Sequence, residues 1–401
     1  MTLSHGVRRL FLVDHLLRDN TGHHAGYNAA LAAAATRASV QPVVCCHRLC
    51  PAGLVPGVDI QKIFHDDWRS QPLSLATRSQ RLLRVLEKLS AMRFASDLRS
   101  MPSDVGADDM IFCQMIAPRH FVAWLQYLGR FNNPPRIVLH LGYQPWRFER
   151  REVRHALASL PAVCRRQLSF VTDSEKLVDP FAKALGAEVR HLPHVVDWKF
   201  RPGIMPLADI PVFVVPGNAR EEKGFVDLMA ALSVLRPALE QNLLRFKIQC
   251  HEPDPPSTQS GAAAPPQTPG VEWIREPLGR EAYYRMISEA HAIVLPYHLS
   301  HYAMRTSGVF CEARCAGRPV IATRGSWAGD RIEREGGGWT VEENNPRALA
   351  SCLREAASDG IMQKTAEAIS LQEASQREFS PDKFVYELLE VDSSFHVVQG
   401  T

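Results

Sequence analysis

The chain has no long hydrophobic run: no stretch approaches the about 18 apolar residues that a membrane-crossing helix needs, so no helical span is expected. Its start, Met1-Thr2-Leu3-Ser4-His5-Gly6, lacks the basic-then-apolar form of a signal peptide. An excess of one charge is also missing. The 46 Lys and Arg against 43 Asp and Glu leave a net charge of +3, too little to imply a nucleic-acid partner. No CxxC pair occurs, and the nine cysteines are odd in number and scattered, as reduced thiols of a cytoplasmic protein would be. Cys45, Cys46, His47 and Cys50 lie close together, but structural zinc sites usually pair two separated ligand clusters. The plainer reading is a strand end, Val43-Val44-Cys45-Cys46, running into a loop, and no metal site is expected. No internal repeat on the scale of about 20–50 residues is visible.

The composition is that of a globular protein, 45% hydrophobic and 22% charged, and 401 residues suit two domains. Apolar runs alternate with helical patterns. Leu10-Phe11-Leu12-Val13 reads as a buried strand, 25–37 as an alanine-rich helix and 41–45 as the next strand. Strands follow over 111–114, 136–140, 168–172 and 189–193, with a helix from Pro118, a good first helical residue. The pattern then restarts with a strand over 212–215, a helix over 223–235 and strands over 244–250, 292–296 and 319–323. Strands alternating with helices imply parallel sheets with helices on both faces. The fold class is therefore α/β, with two Rossmann-like domains joined near residue 200 by a connector over 194–211 rich in proline and glycine. Ligands of such sheets bind beyond the carboxyl ends of the strands. Two facing sheets would place that crevice between the domains.

The most informative stretch is 305–323, a loop, a short helix, a glycine stop and a strand. Ser307, Gly308 and Val309 can open a helix where free backbone N–H groups gather, and such an end attracts phosphate. Glu312 lies one turn further on, in reach of a sugar hydroxyl beyond the phosphate. Gly317 ends the helix, and Pro319 leads into Val320-Ile321-Ala322. A phosphate site followed at once by a carboxylate suits a nucleotide sugar. Upstream, Gly217, Arg220 and Lys223 lie between a strand and a helix, where a fork and a point charge can clamp a diphosphate. Asn218 follows the glycine. In the first half, Gly22, His23 and His24 follow the first strand at the start of a helix. His140 ends a strand, where crevice chemistry sits. Two neighbouring histidines on a loop, or one at a strand end, also serve purely structural ends.

These segments resemble the retaining glycosyltransferases of family 4, also called group 1, which have the GT-B architecture of two Rossmann-like domains facing a cleft. The family pattern is a Glu, seven intervening residues, a second Glu, then small residues and Gly-x-Pro-Val. Glu312, Ala313, Ala316, Gly317, Pro319 and Val320 match it, while the first Glu falls on Met304. The Gly217-to-Lys223 spacing also matches; the family's arginine falls on Asn218, and Arg220 stands two residues later. Thr172-Asp173-Ser174 and Pro193-His194-Val195-Val196-Asp197 resemble architectural turns of the family. The resemblance implies ribose binding by Glu312, diphosphate binding by Lys223 and Arg220, and sugar contact by His140. It places His23 or His24 at the reacting centre. It implies a first domain over 1–197, a second, nucleotide-sugar-binding domain over 198–378, and a helix over 379–401 that returns to the first. There Ser380 and Pro381 can start a helix carrying Phe384, Val385, Leu388 and Leu389.

Two segments stand apart. Over 73–99, Arg78, Arg81, Arg84 and Lys88 share a helical face, with Leu82, Val85, Leu86 and Leu89 as the apolar side. Such a helix can pack on a domain or rest on anionic lipid at the inner membrane face. The stretch 252–270 is a proline-rich, low-complexity loop. The expected activity is transfer of a hexosyl unit from a nucleoside-diphosphate sugar to a glycan or lipid-linked acceptor, without a tightly bound cofactor. A binding protein without turnover, favoured by Met304, and a nucleotide-sugar epimerase are the alternatives.

Overall fold

The computed structural model describes residues 6–20, 23–65, 80–142, 144–197, 209–218, 220–250, 268–358 and 360–391, over 80–84 as backbone only. Gly22, most of the connector over 194–211, most of the loop over 252–270, the start of the basic helix and the last ten residues lie outside them. The chain divides into two compact units, Met1–Pro193 with Pro381–Thr401, and His194–Ser380.

The first unit runs β1 (Arg9–Asp14), α1 (His24–Arg37), β2 (Gln41–His47), β3 (Asp59–Phe64), α2 (Gln80–Asp97), β4 (Asp109–Cys113), α3 (Phe121–Leu128), β5 (Arg136–His140), α4 (Arg151–Ser159), α5 (Ala162–Arg165), β6 (Leu168–Thr172), α6 (Val178–Leu185) and β7 (Arg190–His191). Its sheet has the order β3-β2-β1-β4-β5-β6-β7, and every pairing is parallel. Four consecutive residues of β1, Leu10 to Val13, are all buried, as a strand covered on both faces requires. Phe11, Ile111, Phe121, Trp124, Leu139 and Phe170 belong to one core on this sheet. Cys45, Cys46 and His47 are the buried end of β2, and Cys50 is buried in the turn that follows.

The second unit runs β8 (Val212–Val215), α7 (Phe225–Glu240), β9 (Arg245–Gln249), β10 (Val271–Ile274), α8 (Arg280–Ser288), β11 (Ala292–Leu295), α9 (Leu299–Tyr302), α10 (Gly308–Cys315), β12 (Val320–Thr323), α11 (Trp327–Glu335), β13 (Gly338–Val341), α12 (Pro346–Ala356) and α13 (Gly360–Glu378). Its parallel sheet has the order β10-β9-β8-β11-β12-β13. The Val196 N–H donates to the Phe379 carbonyl at 2.9 Å, tying the two ends of this unit together. The last described helix, α14 (Pro381–Leu389), belongs to the first unit. Phe384 meets Tyr27 and Phe112 edge-on at 6.3 and 5.4 Å, and Arg136 donates to the Leu389 carbonyl at 3.2 Å.

Both strand orders reverse direction once, between β1 and β4 and between β8 and β11. A doubly wound sheet binds ligands outside the carboxyl ends at such a switch point. Two local expectations need correction. The helix expected from Lys223 starts at Phe225, because Gly224 takes the left-handed conformation, φ +69°, and separates α7 from a single 3-10 turn over Glu221–Lys223. On α2 the apolar residues expected to pack, Val85 and Leu89, are exposed. The buried side is set instead by Phe94, whose ring stacks on His120 at 4.0 Å and on Phe64 at 5.2 Å. The side chains of Arg81, Leu82 and Arg84 lie outside the described ones.

Candidate functional site

In the second unit the switch point gathers the charged residues. The loop after β8 turns at Gly217, φ +83°, and the Gly217 N–H donates to Gln249 Oε1. A Cβ on Gly217 would lie 2.7 Å from Lys223 Nζ, so backbone and ammonium are close neighbours. A Cβ on Gly224 would lie 1.8 Å from the Pro296 carbonyl oxygen, so only glycine lets this loop lie against the end of β11. Lys223 Nζ stands 5.7 Å from the ring of Tyr297, which lies 4.3 Å from the ring of Tyr302. The guanidinium of Arg305 stands 5.7 Å from that second ring. Burial, then repulsion from Arg220, pushes Lys223 down to about 8, with a smaller push from Arg305 and opposing pulls from Glu222 and Glu312. A lysine crowded by two guanidinium groups favours an anion. Arg220 is exposed and pairs with Glu222 at 3.1 Å.

Beyond that cluster α10 begins. The Phe310 N–H donates to Ser307 Oγ at 3.2 Å, which makes Ser307 the N-cap and leaves the helix's first turn to supply further amides. Gly308 faces His194: a Cβ there would lie 2.9 Å from Nε2. Val309 is half-buried in this first turn. Glu312, one turn on, accepts the Tyr283 hydroxyl at 2.7 Å. Burial raises the Glu312 carboxyl above its ordinary value, while Tyr283, His194, Lys223 and Arg280 hold it down. Met304 is 42% exposed.

In the first unit Asp14 ends β1, fully buried. His24 Nδ1 lies 2.8 Å from its Oδ2, Asn28 Nδ2 donates to the same oxygen at 2.8 Å, and the Leu16 N–H donates to Oδ1 at 3.1 Å. Burial opposes ionisation of Asp14, but His24, His15 and Asn28 outweigh it and hold the group at about 2. His24 opens α1, and His23 stacks on its ring at 4.5 Å. His140 ends β5, buried, with Nε2 4.0 Å from Asp173 Oδ1. The turn after His140 is shaped by Met115: a Cβ on Gly142 would lie 2.0 Å from its Sδ.

Residues 210–359, which hold the Lys223 and Glu312 cluster, match the family model for glycosyl transferases group 1. The chain has the GT-B glycosyltransferase fold. Sucrose-phosphate synthase from Thermosynechococcus elongatus is similar over 96% of this chain and 98% of its own, at 13% identity and a TM-score of 0.68. A glycosyltransferase from Rickettsia africae covers 98% of this chain with 100% of its own, at 13% identity and a TM-score of 0.64. HepE from Anabaena, solved with UDP and glucose, covers 96% with 100% of its own, at 14% identity and a TM-score of 0.60. At such identities the likeness is one of fold. No curated protein matches the sequence.

Within this fold, the expected Lys223, Ser307, Gly308, Val309 and Glu312 come together around one switch point. Arg220 lies at its edge, and Gly22 is outside the described residues. His23 and His24 are together in the first unit at the start of α1, after β1, and His140 ends β5, which β4 separates from β1 in the same sheet. Several residues were not foreseen: Arg305, Tyr297 and Tyr283 in the second unit, Asp14 and Asn28 in the first. Arg305 opens the stretch 305–323, and a carboxylate at the end of a buried strand is a signal that could have singled out Asp14. The two tyrosines carry no such signal, since only the fold brings them to the site.

Proposed function

We propose that the protein transfers a hexosyl unit from a nucleoside-diphosphate sugar to the hydroxyl of a glycan or lipid-linked acceptor, with retention, in the synthesis of a glycan, polysaccharide or glycolipid. The observation that carries this reading is Lys223, held at about 8 beside Arg220 and Arg305, next to the capped start of α10 with Glu312 one turn beyond. The match of residues 210–359 to glycosyl transferases group 1 supports it, and so does the fold shared with HepE, solved with UDP and glucose.

In this reading the diphosphate lies over the first turn of α10, where N–H groups and the helix dipole favour anions. As the bond to the sugar breaks, charge grows on the leaving phosphate. Lys223, Arg220 and Arg305 are already in place to neutralise it, and preorganised charge of this kind is usually the largest catalytic contribution. The Glu312 carboxylate accepts the ribose hydroxyls, with Tyr283 fixing its orientation. His140 contacts the donor sugar. His24, whose Nδ1 is anchored on Asp14, presents an imidazole of fixed orientation at the reacting centre, with His23 beside it. No tightly bound cofactor takes part, and the protein works in the cytoplasm.

A second reading rests on Met304. It stands where the family has a carboxylate, and it would leave a protein that binds the donor without turning it over. Calorimetry with UDP, GDP, ADP and dTDP, followed by assay of the matching nucleotide sugars, separates the two. Binding with turnover supports the transferase, binding without turnover the second reading, and no binding of any nucleoside diphosphate removes both.

A further inference from the structure

In the second unit one guanidinium stands between two carboxylates. Arg280, the first residue of α8, pairs through Nη2 with Oδ2 of the buried Asp197, while its own side chain stays 31% exposed. One turn on, Arg280 also hydrogen-bonds the Tyr284 hydroxyl. The neighbouring Tyr283 donates to Glu312 Oε2 at 2.7 Å, and its ring meets that of Tyr284 edge-on at 5.6 Å. A single turn of α8 therefore runs from Asp197 to Glu312. Burial raises the Glu312 carboxyl, and Tyr283, His194, Lys223 and Arg280 pull it down, so the Arg280 charge is felt at Glu312 as well. Glu281, beside Arg280, is exposed and pairs with Arg285 at 3.0 Å.

The two carboxylates differ in how they are held. Asp197 is anchored through its neighbour: the Val196 side chain lies in the same core as Tyr284, and the Val196 N–H donates to the Phe379 carbonyl at 2.9 Å. Glu312 is half-buried, and Tyr283 engages one of its oxygens. A guanidinium that loses its partner in a partly buried place is left with an uncompensated charge. On its long stem it turns to the next carboxylate, and its planar fork takes both oxygens of such a group. Those are the oxygens that ribose hydroxyls need as acceptors.

We propose that Asp197 is a positioning residue for ribose recognition: by holding Arg280 it keeps the guanidinium off Glu312 and leaves that carboxylate open to the ribose hydroxyls. Asp197 acts through Arg280, and Tyr283 fixes the carboxylate that Asp197 keeps free. The inference rests on the ribose role of Glu312 in the proposed transfer and adds the condition under which Glu312 can fill it.

Calorimetry of the full chain with UDP, GDP and ADP, and with their deoxyribose counterparts dUDP, dGDP and dADP, tests it. The parent should prefer the ribose form of the diphosphate it binds by roughly tenfold, as for a hydrogen bond to a charged group. Asp197→Asn should bring that preference to within about threefold, by weakening the ribose form. Two further variants separate capture of Glu312 from a loosened fold. Asp197→Glu keeps a carboxylate for Arg280 and should keep most of the preference. Asp197→Asn with Arg280→Gln removes the released guanidinium as well and should restore it, whereas lost packing alone would leave the double variant no better than the single one. A preference unchanged in Asp197→Asn, or lost there and not recovered in the double variant, would overturn the proposal and leave the donor reading standing. So would single and double variants that both fail to fold, which would make the pair a device of folding. No binding of any of these diphosphates by the parent would remove the donor reading, and this inference with it.

Discussion

Replacing Lys223 by methionine should stabilise the empty protein while removing its hold on the donor. Burial and the nearby guanidinium groups bring the ammonium from 10.5 down to about 8. Keeping it charged at neutral pH therefore costs the fold roughly 3 kcal/mol. Methionine keeps much of the stem and drops the charge, so the Lys223→Met protein should gain about 1–3 kcal/mol. The sign follows from the folded value lying below the unfolded one. The penalty is fully present below pH 8 and fades as pH rises from about 8 to 10.5, so the parent gains stability across that window and the variant does not. Binding runs the other way. The cationic form meets the diphosphate, so affinity is full below about 8 and falls as pH rises through it. Loss of one charge-assisted contact, about 1.5–3 kcal/mol, is roughly tenfold to a hundredfold in Kd. Urea unfolding and calorimetry with the nucleoside diphosphate at neutral and alkaline pH measure both effects. A variant less stable than the parent, or one that binds as tightly with the same pH profile, would refute the reasoning.

Three further outcomes follow from the same geometry. Glu312→Ala should weaken binding of the free nucleoside diphosphate by about 1–3 kcal/mol in calorimetry, whereas equal affinity would assign Glu312 to structure. In the parent, burial raises the Glu312 carboxyl, so affinity should begin to be lost at a higher pH than for an ordinary glutamate as pH falls. Asp14→Asn should lower kcat roughly tenfold or more by unfixing His24, with nucleoside-diphosphate affinity unchanged; an unchanged kcat would reduce the pair to structure. Asp14 lies at about 2 in the fold against 3.8 ordinarily, so its contribution to stability is present above 3.8 and lost as pH falls towards 2, and acid unfolding of the Asn variant should lack that component. Gly224→Ala places a Cβ at φ +69° against the Pro296 carbonyl and should cost roughly 2 kcal/mol or more in urea unfolding; a loss within error would mean that the loop gives way freely.

Much of this arrangement was legible because buried parallel strands are written in long apolar runs. Leu10 to Val13, Arg136–His140 and Ala292–Leu295 announce themselves in that way. Strands β3, β10 and β13 were missed, since DIQKIF, VEWI and GWTV are short or mixed in polarity. The candidate site was legible where chemistry is local: a serine cap, the amides after it and a glutamate one turn on lie within a few residues. The pairs that tune these groups are not local. Tyr283 reaches Glu312 from another helix, and Arg305 comes near Lys223 only because β8 and β11 are neighbours. On α2 the spacing of apolar residues was visible, but the face that packs was decided by Phe94 and its ring partners.

The central claim is that the residues around Lys223 and Glu312 hold the diphosphate and ribose of a sugar donor whose bond the protein breaks. Release of nucleoside diphosphate from a panel of UDP-, GDP-, ADP- and dTDP-sugars, with and without candidate acceptors, tests it most directly. At least one donor should release its nucleoside diphosphate, with transfer to the acceptor, and the release should fall to near background in Lys223→Met. No release from any donor, or a rate that Lys223→Met leaves unchanged, would contradict the claim.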